Sequence, residues 1–145
     1  MIDGVGLFLF LAGFVIGLGA VSVIDVLGFL GRTSRYWTEA TVRAHKVTKP
    51  LIWLGITCAV LGGLITYHEE SLVGIPLAHA CIALVLIANG AFLSSYVSPI
   101  LLAREQAGQA DQILPRSLQR TILVSIVVSD VGWWSALVLL VVYLV

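Results

Sequence analysis

The chain has 145 residues and equal numbers of acidic and basic side chains, eight of each, so its formal net charge at pH 7 is zero. Charged residues make up 11% of the chain, against about a quarter in soluble globular domains, and apolar residues make up 59%. This composition excludes an ordinary soluble domain, and a neutral chain does not point to nucleic acid as a partner.

Four long apolar runs predict an all-α membrane protein, a four-transmembrane-helix bundle that forms one domain over residues 1–145. In chain order we expect helices at about 5–30, 48–67, 75–103 and 117–143. The first run lacks the basic start and the cleavage site of a secretion signal, so it should remain in the membrane. Near the end of the third helix, Pro99 frees the carbonyl group of Ser95.

The second helix has two possible starts. In the first, Thr48 is the N-cap and Pro50 lies in the first turn, where its missing N–H is harmless. In the second, the helix begins near Thr38 and Pro50 kinks it. Both alternatives stay open at this point.

The positions of the basic residues predict the orientation of the bundle. All eight lie in the first and third connections: Arg32, Arg35, Arg43, Lys46 and Lys49, then Arg104, Arg116 and Arg120. The second connection carries Glu69 and Glu70 and no cation. Because short loops rich in Lys and Arg stay cytoplasmic, we expect both termini on the non-cytoplasmic side of the cell membrane, plasma or inner. Anionic lipid headgroups are the expected neighbours of the basic residues.

Small side chains recur at helical spacing on every predicted helix. Since lipid tails are as apolar as Leu, helices in a membrane associate through close backbone approach and hydrogen bonds, which small residues permit. The stripes predict a compact bundle and argue against a wide aqueous pore. The residues that we expect to pack are Gly13, Gly17, Gly55, Gly62, Gly90, Ser125, Ser129 and Gly132.

Three polar side chains inside the apolar runs are candidates for chemistry: Asp25, Asn89 and Asp130. Asp130 lies about ten residues into the last helix, roughly 15 Å deep at 1.5 Å per residue. An ionised carboxylate there must be paired or hydrated, so Asp130 is either clasped by Asn89 or belongs to a proton or ligand site.

Asp25 lies near the cytoplasmic end of the first helix. We expect a structural ion pair with His45, Lys46 or Lys49, and the alternative is a proton or cation entrance formed with His45, since histidine changes charge near neutral pH. His45 and Lys49 therefore mark a predicted cytoplasmic entrance.

His68 and His79 flank the second connection and could together ligate haem iron or a metal ion. The competing interpretation is a hydrogen-bonded interfacial histidine, because no third ligand stands at a suitable spacing. Cys58 and Cys81 lie in apolar runs, where a thiol packs as a small hydrophobic group.

The segment Arg43-Ala44-His45-Lys46, together with the chain length and the four apolar runs, resembles small four-helix bacterial membrane proteins related to copper-resistance protein D and the J-type protoporphyrinogen oxidase. The resemblance implies the four-helix fold and an association with haem b. Those families have a histidine in the first helix, and residues 5–30 contain none. No functional residue is carried over from them.

The chain shows no nucleophile with a base, no metal cluster and no phosphate loop, which points away from an enzyme. We therefore expect a structural or accessory subunit that packs against itself or against a larger membrane complex. A haem- or metal-binding redox protein is the first alternative. The second is a proton-coupled or ion carrier that uses Asp25, Asn89 and Asp130, which would need a polar path along the bundle.

Overall fold

The computed structural model describes residues 4–145, and within that range all regular structure is helical. The helices are α1 (Gly4–Leu30), α2 (Arg35–Thr66), α3 (Gly74–Phe92), α4 (Ser98–Gln106) and α5 (Arg116–Leu144). A π-helical turn, Leu93–Val97, joins α3 to α4 without a break. The four units Gly4–Leu30, Arg35–Thr66, Gly74–Gln106 and Arg116–Leu144 are long and apolar enough to cross a membrane.

Helix α2 begins at Arg35 and continues through Pro50, so the predicted start at Thr48 is wrong and the earlier start, near Thr38, is the better one. Thr38 is buried at this end, and its hydroxyl group shares its one proton between the carbonyl oxygens of Gly31, at 2.7 Å, and of Ser34, at 2.9 Å. These bonds satisfy carbonyl groups at the turn from α1, which favours an early start for the helix.

The π-helical turn was not predicted, although its cause can be read from the residues. Pro99 has no N–H to donate to the carbonyl oxygen of Ser95, and the backbone N–H of Ser98 donates to the carbonyl oxygen of Leu93, five residues earlier. Such turns are inserted where the regular helical bonding is interrupted. As a result, Ser94 and Ser98 both reach side chains of α2, as described below.

Helices α1 and α2 form the closest pair, because glycines from both helices lie in their interface. A Cβ atom on Gly13 would lie 2.5 Å from the backbone nitrogen of Ala59, and one on Gly62 would lie 2.7 Å from the Cα atom of Phe10. Gly55 of α2 faces the backbone of Gly17 in the same way. Only residues without a side chain allow the two backbones to approach so closely.

The bundle has two ends with different chemistry. The basic end holds the α1–α2 and α4–α5 connections, and the opposite end holds the α2–α3 connection and the last residues of α5. A large buried cluster around Trp133, Phe14 and Leu140 fills the middle and the opposite half, and a smaller one around Val42 and Leu101 fills the basic end. Between these clusters lies the cavity that holds the candidate site.

Candidate functional site

An interior cavity of about 120 Å³ opens among the helices in the basic half of the bundle. Most of its wall is apolar, formed by residues such as Val21, Ile52 and Leu93. Polar side chains in the wall come from α1, α2, α5 and the span Gly74–Gln106. They include Asp25, His45, Lys49, Asn89, Ser94, Ser125 and Ser129.

Two buried polar atoms in the wall of this cavity have no hydrogen-bond partner among the described residues: Oδ2 of Asp25 and Nε2 of His45. A buried polar atom without a partner is destabilising, by about 1 to 3 kcal/mol in proteins. The cavity has room for a few water molecules, which could satisfy both atoms and link them. The pair therefore has the composition of a site that exchanges protons with internal water.

The ion pair expected for Asp25 does not form, because both candidate lysines have other partners. Lys46 pairs with Glu105, with 2.7 Å between Nζ and Oε2, and Lys49 donates to the hydroxyl oxygen of Ser98 at 3.3 Å. Within residues 4–145 no salt bridge includes Asp25. The structure thus brings Asp25, His45 and Lys49 to one cavity without pairing the carboxyl group.

Asn89 makes a different hydrogen bond from the one predicted. Its Nδ2 donates to the backbone carbonyl oxygen of Ser125 at 3.0 Å, and the described hydrogen bonds include none to Asp130. Asp130 is half-buried and follows Ser129, which lines the cavity. The carboxyl groups of Asp25 and Asp130 are close enough to interact electrostatically. Two of the three predicted intramembrane residues, Asp25 and Asn89, therefore line one cavity, and Asp130 lies near it without lining it.

The other predicted packing residues lie around this region. Gly90 faces the Trp53 ring, and a Cβ atom there would lie 3.4 Å from Cζ2. Gly132 faces Leu86, and Ser125 is buried beneath the side chain of Asn89.

His79 and His68 do not fit a haem group or a metal ion. Both ring nitrogens of His79 are occupied, because Nδ1 accepts from the Tyr67 hydroxyl group at 2.9 Å and Nε2 donates to the carbonyl oxygen of Ala136 at 2.8 Å. His68 is exposed, and its Nδ1 donates to the carbonyl oxygen of Ile65 at 2.8 Å. The part of the chain that the structure describes has no group of three or more His, Cys, Asp or Glu side chains arranged for a metal ion.

Sequence reasoning missed the roles of three residues at the site. Trp53 lines the cavity and donates from Nε1 to the hydroxyl oxygen of Ser94 at 3.1 Å, and Ser98 holds the ammonium group of Lys49. The signal for Trp53 was its position one helical turn after Lys49 on α2, which places both on one face. The roles of Ser94 and Ser98 depend on the π-helical turn and have no comparable sequence signal.

Comparison with models of protein families, with curated proteins and with solved structures finds no match for this chain. The class of this protein is thus described by its fold and its cavity. It is an all-helical bundle with four helices long and apolar enough to cross a membrane, and one half of the bundle holds a cavity with polar side chains in its wall.

Proposed function

We propose that this chain is an ion carrier of the plasma or inner membrane, in which the carried ion is the proton and Asp25 binds and releases it. The observation that carries the proposal is a pair of buried atoms in the wall of one cavity, Asp25 Oδ2 and His45 Nε2, which have no hydrogen-bond partner within residues 4–145. Ionisable side chains within a transmembrane segment usually mark ion or proton pathways, because their burial is otherwise unfavourable.

The cavity gives each polar residue a specific role in this proposal. Asp25 takes up the proton, and His45 exchanges it with water at the basic end through its ring nitrogens. Lys49, whose ammonium group donates to the hydroxyl oxygen of Ser98, adds a positive charge to the wall of the same cavity, and within residues 4–145 it forms no salt bridge to Asp25. Asn89, fixed by its bond to Ser125, presents its amide oxygen as a further acceptor.

Proton flux into proteoliposomes tests this function. We expect Asp25→Asn to reduce the flux, measured with an entrapped pH-sensitive dye under a potassium diffusion potential, by at least about 100-fold, a typical loss when a proton-transferring group is removed. The matched control is Asp111→Asn, because Asp111 is an exposed carboxylate in the α4–α5 connection that does not line the cavity.

Both variants should unfold in detergent at temperatures close to that of the parent protein. Equal flux through the parent, Asp25→Asn and protein-free liposomes would refute the carrier proposal.

A structural or accessory subunit is the second candidate function, and one observation favours it. Helices α2 and α3 leave between them an open groove of about 440 Å³ with a mainly apolar wall that includes Leu64, Leu84 and Ile87. A helix of the same chain or of a larger membrane complex could cover that surface. Purification in a mild detergent, followed by mass measurement of the intact particle, would show either a constant second component or a single copy of the chain.

A further inference from the structure

Three buried apolar side chains separate the polar cavity from the groove between α2 and α3. Ile56, Leu86 and Trp133 line both spaces and are 6%, 7% and 2% exposed. On the side of the groove, the wall continues to Tyr67 and His79 near the opposite end of the bundle. The two spaces are therefore neighbours, and these three side chains stand between them.

Glycines on neighbouring helices hold two of the three side chains in place. The Trp133 ring lies against Gly17 of α1 and packs edge-on against Phe14, with 5.9 Å between the ring centroids. Leu86 lies against Gly132, where a Cβ atom would be 2.8 Å from Cδ2 of the leucine. Each side chain therefore rests on backbone, which leaves little room for water to pass between them.

We propose that Ile56, Leu86 and Trp133 form an apolar gate that closes the polar cavity toward the opposite end of the bundle. The inference rests on the proposed carrier function, for which it names the barrier that a proton must cross. A constriction lined by apolar side chains stops water and ions because it does not stay wet. While the gate is closed, Asp25 exchanges protons with water at the basic end. It exchanges protons with water in the groove only when the three side chains of the gate separate.

Two positions on α3 make the gate directly testable. Asn89 lies one turn from Leu86 on the side of the cavity, and Ala83 lies one turn away on the side of the groove. In a protein with Cys58 and Cys81 replaced by serine, we expect Asn89→Cys to react from the basic end only with Ag⁺, a membrane-impermeant thiol-reactive ion that is small enough for a cavity of about 120 Å³. Ala83→Cys should react from the opposite end only. Right-side-out and inside-out membrane vesicles distinguish the two directions.

Removing side-chain volume from the apolar gate should abolish the difference in labelling between the two ends of the bundle. With Leu86→Ala added, Asn89→Cys should react from both ends, and the rate from the formerly closed end should rise at least about tenfold. The control is Leu140→Ala, the same truncation at a more deeply buried leucine (1% exposed) that lines neither space. If Asn89→Cys does not fold, Ser129→Cys provides a second position in the wall of the cavity.

Labelling of Asn89→Cys from both ends while Leu86 is intact would overturn the gate. Equal labelling of Asn89→Cys in the Leu86→Ala and Leu140→Ala proteins would also overturn it. Proton flux separates this inference from the function on which it rests. If Leu86→Ala changes the labelling while no variant and no parent protein carries protons, the gate stands and the carrier proposal fails. If the gate and the carrier function are both correct, Leu86→Ala should also raise the proton flux through the protein, and Leu140→Ala should not.

Discussion

His79 shows how a single histidine can serve the fold rather than a cofactor. Its ring is buried on α3, accepts from Tyr67 at the end of α2 and donates to Ala136 of α5, so it joins three helices. The carbonyl oxygen at Ala136 can only accept, which requires the proton on Nε2 and leaves Nδ1 as the acceptor. Burial, with Tyr143 and Glu70 nearby, raises the pKa of the Tyr67 hydroxyl group to about 12. The Tyr67 hydroxyl group therefore stays protonated at physiological pH and donates a hydrogen bond to Nδ1 of His79.

At this scale we expect Tyr67→Phe to lower the free energy of unfolding in detergent by about 0.6 to 2 kcal/mol, the range for interhelical hydrogen bonds in membrane proteins. The phenylalanine keeps the ring contacts with Phe10 and Tyr143 but leaves Nδ1 of His79 without its donor. Tyr36→Phe is the control, because Tyr36 is 71% exposed and packs only its ring against Trp37. Equal denaturation midpoints for the two variants would mean that the bond to His79 contributes nothing to stability.

At the scale of the helices, two adjacent glycines of α2 behave differently although their sequence context is nearly the same. Gly62 is buried against the backbone of Phe10, whereas a Cβ atom on Gly63 would meet only the edge of the Phe10 ring, at 3.7 Å. The hundred-degree turn between successive residues of a helix explains the difference. One glycine faces α1 directly, and its neighbour faces away from the line of closest approach.

Gly62→Ala should therefore lower the free energy of unfolding by about 1 to 3 kcal/mol, since the added methyl group must displace backbone and not a flexible side chain. Gly63→Ala should be neutral or slightly stabilising, because alanine restricts the unfolded chain and its methyl group has room. Thermal unfolding of both variants in one detergent provides the measurement. A Gly62→Ala protein as stable as Gly63→Ala would show that α1 and α2 can separate without loss.

At the scale of the whole molecule, charge divides the bundle into two ends. The basic end is further tied by ion pairs between α2 and the later part of the chain, Lys46 with Glu105 and Arg35 with Asp111. At the opposite end Glu70 accepts a hydrogen bond from Tyr143, and His68 lies beside Glu69. The unequal distribution of Lys and Arg is the feature that sets orientation in a membrane.

We expect reporter fusions at Val145 and in the Glu69-Glu70 connection to read the non-cytoplasmic side, and a fusion in the connection that carries Gln109 and Asp111 to read the cytoplasmic side. The physical reason is that cationic loops are not readily translocated. An alkaline phosphatase and green fluorescent protein pair supplies the measurement. A cytoplasmic signal at Val145 would reverse the orientation and move the proposed proton entrance to the other face of the membrane.

The sequence by itself determined that the chain forms four long helices, because each apolar run is long enough to satisfy its backbone inside a membrane only as a helix. It also identified Asp25, Asn89 and Asp130 as the polar residues inside those runs. It could not show that Lys46 and Lys49 would bind Glu105 and Ser98 and leave the Asp25 carboxyl group facing a cavity. Which side chains meet depends on how the helices rotate and cross, and on one π-helical turn that shifts the face of the third span. Those quantities arise only when all four spans pack together, so the tertiary structure alone decided the cavity and the apolar layer of Ile56, Leu86 and Trp133 that closes it.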